Sequence, residues 1–229
     1  DVFIAGGVEN MTRGPFVVGK PEMGYPYGSK TMWDTAFGWR FPNPKMEEMY
    51  GTEGMGNTAE NIQDEAHISR EDQDVFALRS HQRSVSAIDD GRFAEEIVPV
   101  SIPQRKGDPL IFDTDERPRR DTTLEKLAKL RPAFRKDGTV TAGNASGLND
   151  GSSAILIMSA EKADELGLKP MARIISSAAA GVQPRTMGMG PVPATKKALQ
   201  RAGLSLDDIG LIELNEAFAV QSLAVMREL

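Results

Sequence analysis

The chain contains no cysteine. Disulfides, thiolate-bound metals and a cysteine nucleophile are therefore excluded within its 229 residues. Imidazole is almost as scarce: His67 and His81 are the two histidines, and they fall on what read as separate or kinked elements. Surface or structural roles suit both better than metal ligation, so no metal site is expected and neither is assigned a role. Long apolar runs are also missing. The stretch from Ala154 to Met158 is far shorter than the roughly 20 residues that cross a bilayer, so no membrane partner is expected. Positive charge is in deficit, with a net charge of −6 and no basic stripe interleaved with aromatics, so a nucleic-acid partner has no electrostatic support. What remains is an ordinary globular composition, 40% hydrophobic, long enough for one or two cored domains acting on small molecules in the cytoplasm.

The most informative stretch runs from Val140 to Met158, VTAGNASGLNDGSSAILIM. Gly143, Gly147 and Gly151 permit close backbone approach, and Asn144, Ser146, Asn149 and Asp150 add short hydrogen-bonding groups. Such a loop can hold a polar ligand with its main chain. The same residues also read as a tight turn before a buried strand.

Around it, Val2 to Ala5 reads as a short buried strand closed by Gly6 and Gly7. Pro15 to Gly51 mixes Pro and Gly with all three tyrosines and both tryptophans, which suits a lid, a subunit contact or an excursion packed on its own domain. Thr58 is expected to cap a helix with Ala59, Ile62 and Ala66 on one side. Ser69 caps a second, reaching Gly91 through Val75, Phe76, Leu78, Val85 and Ile88. Glu96 to Ile102 reads as an edge strand interrupted by Pro99. A charged tract follows, in which Arg117, Arg119 and Arg120 could meet phosphates or form a solvated face. Thr123 to Leu130 is a short helix, Ala154 to Met158 a strand, and Ser159 caps a helix ending at Gly167. Further strands are expected at Ala172 to Ala179 and Leu211 to Leu214, and helices at Ala194 to Arg201 and Glu216 to Glu228. This alternation argues for an α/β class with helix-covered sheets. Asn215, at a strand-to-helix junction in ELNEAFA, can cap the last helix or donate its amide to a developing oxyanion.

Three strings carry a resemblance: TAGNASGLNDG, NEAF at Asn215 to Phe218, and GMGNTAEN at Gly54 to Asn61. With GGVENMTRGP and KLRPAF, they resemble the thiolase family of acyl-CoA acyltransferases over nearly the whole chain. The resemblance implies a layered αβαβα fold, incomplete here, with an inserted mixed α+β loop domain. Residues 1–18 would end the N-terminal half, 19–148 form the coenzyme A-binding insertion, 149–170 return to that half, and 171–229 begin the C-terminal half. It implies acyl-CoA and coenzyme A as substrates, no tightly bound cofactor, and a homodimer or homotetramer. Asn215 would hold the water that polarises the thioester oxygen. Arg119 would meet the nucleotide end of coenzyme A, and Met55, Phe134, Ala142, Ser146 and Phe218 would border the channel.

In that family the acyl group rides on a cysteine. The resemblance therefore implies that this chain is an internal piece, inactive alone, with the nucleophile upstream of Asp1. The other reading of the missing cysteine is a non-catalytic acyl-CoA-binding or partner-binding protein. Gly54 stands where biosynthetic members have histidine, and DTAFGWRFPNPKM looks more like degradative members, including those acting on β-ketoadipyl-CoA.

Overall fold

The computed structural model describes residues 1–25 and 27–229. Its strands are β1 (Val2–Glu9), β2 (Phe16–Val18), β3 (Met32–Asp34), β4 (Val100–Ile102), β5 (Leu110–Phe112) and β6 (Gly151–Met158). Its α-helices are α1 (Pro44–Tyr50), α2 (Met55–Ala66), α3 (Arg70–Asp89), α4 (Leu124–Ala128), α5 (Ala160–Glu165), α6 (Pro191–Ala202) and α7 (Ala219–Glu228).

The strands form three antiparallel pairs, β1 with β6, β2 with β3 and β4 with β5. β1 and β6 align over eight residues each, from Val2 opposite Met158 to Glu9 opposite Gly151. Gly6 and Gly7 do not end β1 as expected. They continue it, because Gly6 meets the other strand so closely that a Cβ there would lie 2.3 Å from the Ser153 carbonyl oxygen. The strand is also exposed rather than buried. Phe3, Ile4, Ile155 and Leu156 all face solvent.

Two expected strands are absent. Ala172 to Ala179 and Leu211 to Leu214 are irregular, with no described strand alongside to complete a ladder. The carbonyls of Ser177 and Ala179 and the hydroxyl of Ser176 instead bond to α6, through Arg201, Lys197 and the Ala198 carbonyl. β4 begins only after Pro99, since Glu96 and Ile97 fold back to donate to the Phe93 carbonyl. Its partner β5 was hidden in the charged tract.

The helices follow the capping signals more closely. Ser69 accepts from the Asp72 amide, and Gly91 takes a φ of +70° past the end of α3. Ser159 caps α5 as expected, whereas Thr123, expected inside its helix, is the N-cap of α4, which ends at Ala128. α6 starts earlier than expected, at Pro191, and closes at Gly203 with φ +68°. Thr58 is not a cap. α2 starts at Met55, the Asn57 and Thr58 amides both bond the Gly54 carbonyl, and the Thr58 hydroxyl donates to the Met55 carbonyl.

The core lies where α2 meets α7 under the Val140 loop. It contains Ala59, Ile62, Ile68, Val140, Val220 and Ala224, with Ala145, Met189, Phe218 and Leu223 packed against it. Among the described residues no helix is long and apolar enough to cross a membrane.

Candidate functional site

The loop from Thr139 to Gly147 is held by buried polar side chains from α2 and α3. Glu60 is 0% exposed, and its carboxylate accepts from the Thr139 amide at 3.0 Å and the Val140 amide at 2.9 Å. Asn144 is also buried. Its amide donates to Asp74 at 3.0 Å and to the Thr139 carbonyl at 3.1 Å, while its oxygen accepts from the Thr141 amide at 2.8 Å. The Gln73 amide reaches the Thr139 hydroxyl at 3.0 Å. Buried polar groups are costly unless paired, so this set specifies one loop conformation. Asn144 was expected to supply a short hydrogen-bonding group to the loop, and its hydrogen bonds point inward and hold the loop.

That loop carries the NEAF segment. The Ser146 amide donates to the Ala217 carbonyl, and the Ala219 amide donates to the Asn144 carbonyl, both at 2.9 Å. Ala145 and Phe218 form an isolated antiparallel bridge between these bonds. The extended backbone at Phe218, with φ −143° and ψ 142°, explains why α7 starts at Ala219, three residues later than expected. It also removes the capping role of Asn215, because Phe218 occupies the N-cap position. Asn215 lies exposed in irregular backbone.

The remaining motifs close around this junction. Phe134 and Phe218 meet edge to face, with ring centroids 6.1 Å apart and planes at 82°. The Phe134 ring lies on Gly56 so closely that a Cβ there would come within 2.2 Å. Met55, one residue earlier, is exposed at the start of α2. Ala142 and Ser146 are exposed on the loop. Four strings far apart in sequence thus meet through Gly56, Phe134, Phe218 and the backbone of Ala145 and Ser146, with Met55 and Ala142 exposed on the same segments.

Arg119 stands apart, against α3. Its amide donates to His81 Nδ1 at 3.2 Å, and its side chain lines a cavity of about 330 Å³ with His81, Asp89, Arg120 and Thr122. Burial, reinforced by the Arg119 charge, pushes the His81 pKa below its ordinary value. The other two arginines are committed to protein contacts. Arg120 forms a bidentate pair with Asp89 at 2.7 and 2.8 Å, and its hydrogen bond to Asp89 lowers that carboxyl's pKa. Arg117 donates to the Leu148 carbonyl at 2.5 Å, with its guanidinium over Gly147. Glu60, Gln73, Asp74 and His81 were not expected at the site. Glu60 and Asp74 flank apolar positions of amphipathic helices, which is where a buried carboxylate can be looked for, but sequence holds no sign of their partners.

Comparison with known proteins gives a consistent result. The family description "Thiolase, N-terminal domain" matches residues 1–161, and "Thiolase, C-terminal domain" matches residues 168–229. A β-ketoadipyl-CoA thiolase from Acinetobacter baylyi is 54% identical over 228 residues, which is 100% of this chain and 57% of that protein. The 3-oxoadipyl-CoA/3-oxo-5,6-dehydrosuberyl-CoA thiolase of Escherichia coli is 54% identical over 229 residues, again 57% of its length. Among solved structures, the acetyl-CoA acetyltransferase of Bacillus anthracis superposes with a TM-score of 0.84 at 47% identity, covering 99% of this chain and 56% of that one. The chain thus spans a little over half the length of the relatives it matches.

Proposed function

Because the chain belongs to the thiolase family, we propose that it supplies the coenzyme A channel and the oxyanion asparagine of an acyl-CoA acyltransferase. The junction of the Thr139 to Gly147 loop with NEAF carries this reading, since it joins the two segments that would flank the thioester. Met55, Phe134, Ala142, Ser146 and Phe218 border the pantetheine arm, and Arg119 meets the nucleotide end. Coenzyme A acts as a substrate, with no tightly bound cofactor.

In the thiolytic direction, a cysteine thiolate supplied from outside this stretch attacks C3 of a 3-oxoacyl-CoA. The C2–C3 bond breaks, the departing enolate takes a proton at C2 to become acetyl-CoA, and the acyl group remains as a cysteine thioester. The thiolate of a second coenzyme A then attacks that thioester and frees the cysteine. Covalent catalysis divides thiolysis into a carbon–carbon cleavage that leaves the acyl group on cysteine and a thioester exchange that frees it, and run backward the two steps form a carbon–carbon bond. Asn215, through a held water, stabilises the negative charge that gathers on the thioester oxygen. This chain alone is inactive in thiolysis.

The names of the relatives support a narrower substrate, a 3-oxo dicarboxylic acyl-CoA in a degradative sequence. Antiparallel pairing of residues 2–9 with 151–158 supports a division in which 1–18 and 149–170 belong to one half and 19–148 is inserted between them. Residues 171–229 open the second half, and the whole protein works in the cytoplasm as a homodimer or homotetramer.

The test is thiolysis of 3-oxoadipyl-CoA by the whole protein, following acetyl-CoA and the four-carbon dicarboxylic acyl-CoA. Wild type should release both in equal amounts, and Ser146→Trp should raise the KM for coenzyme A. Tight coenzyme A binding without either product would favour a non-catalytic binding protein. Unchanged kinetics in Ser146→Trp would remove the channel assignment.

A further inference from the structure

α3 touches the segment bearing Asn215 through a side chain. The Ser80 hydroxyl donates to the Glu216 carboxylate at 2.6 Å, across 136 residues of sequence, and Glu216 directly follows Asn215. Residues 211–216 belong to no helix or strand, and the backbone is next anchored at Ala217, whose carbonyl accepts from Ser146. Asn215 lies two residues away, up to about 7 Å along the chain. The bond at Glu216 supplies a second fixed point next to Asn215.

Ser80 is half-buried, and its bond to the exposed Glu216 lies at the surface. Ser80 lies on α3 three and four residues after Ala77 and Phe76, both buried, and about two turns beyond Gln73 and Asp74, which hold the Val140 loop. At 2.6 Å the bond has the length of a hydroxyl donating to a charged carboxylate. Glu216 shares a cavity of about 210 Å³ with Phe76, Arg79, Arg83 and Ser84, yet its side chain bonds the Ser80 hydroxyl. Arg79 is drawn over the Phe76 ring, with its guanidinium carbon 5.6 Å from the ring centroid.

We infer that Ser80 and Glu216 are positioning residues for Asn215: the hydroxyl–carboxylate bond from α3 fixes the peptide that aims the Asn215 amide. This rests on the oxyanion role proposed for Asn215. Errors of about 1 Å in a catalytic group can cost on the order of a hundredfold in rate, so one tether at this point is enough to matter for turnover. The coenzyme contacts lie on other segments, so the effect should fall on kcat and leave KM alone.

In the whole protein, Ser80→Ala should lower kcat for thiolysis by about tenfold or more, with the KM for coenzyme A and the melting temperature unchanged. Ser80→Thr, which keeps the donor, should restore most of the rate. A Ser80→Ala rate within about twofold of wild type refutes the positioning role. So does a rate loss that only tracks a lower melting temperature, or a Thr variant no better than Ala. Asn215→Ala separates the two levels. A large loss there with none in Ser80→Ala overturns the tether alone, whereas wild-type turnover in Asn215→Ala overturns the oxyanion reading and the tether with it.

Discussion

Replacing Glu60 tests what holds the candidate site together. The carboxylate is fully buried, and its two oxygens take the Thr139 and Val140 amides and the Thr139 hydroxyl, with Arg135 at 3.7 Å. Val140 is itself 0% exposed, so water does not replace a lost acceptor there. In Glu60→Ala two backbone donors lose their partner, at about 1–3 kcal/mol each. Removing a desolvated charge offsets part of this, leaving a net loss of about 2–4 kcal/mol against a typical total of about 5–15 kcal/mol. Glu60→Gln keeps one oxygen but turns a donor toward the Thr139 amide, so about 1–3 kcal/mol is expected. Urea titration gives the global loss, and amide exchange at Thr139 and Val140 gives the local one. Exchange at those two amides should accelerate more than elsewhere, and coenzyme A affinity should fall with it. If Glu60→Gln stays within about 0.5 kcal/mol of wild type with both amides equally protected, the carboxylate does not hold the loop.

Gly56→Ala sets a methyl about where the Phe134 ring lies, so it should destabilise by about 1–3 kcal/mol and weaken coenzyme A binding, read by thermal melting and calorimetry. Asn215→Asp should leave the melting temperature unchanged, because Phe218 holds the N-cap position, while turnover of the whole protein falls by about a hundredfold or more; wild-type turnover would end its catalytic assignment. His81 has its pKa lowered on folding, so the unfolded chain binds its proton more tightly. Its contribution is therefore present above the ordinary value of 6.5 and is lost as pH falls below it toward the folded pKa. Melting temperature should drop between about pH 7 and pH 5, and His81→Asn should flatten that slope; an unaltered slope places the dependence on other groups.

Local rules legible in the sequence survive folding because they act within a few residues. Ser69 and Ser159 cap helices, and Gly91, Gly167 and Gly203 end them with positive φ, since a short acceptor or a missing Cβ satisfies the terminus without distant help. The long Gly-rich string and NEAF were also legible, as strings, and the family followed from them. Their union was not. The bridge between Ala145 and Phe218 joins residues 73 apart, and it moves the start of α7 and takes the capping role from Asn215. Ladders behave the same way. Leu211 to Leu214 has the composition of a strand, yet a strand exists only where a second one accepts its hydrogen bonds. Glu60, Asp74 and His81 gained their roles only from partners brought in by the fold, because the worth of a buried carboxylate or a neutral imidazole depends on which amides surround it.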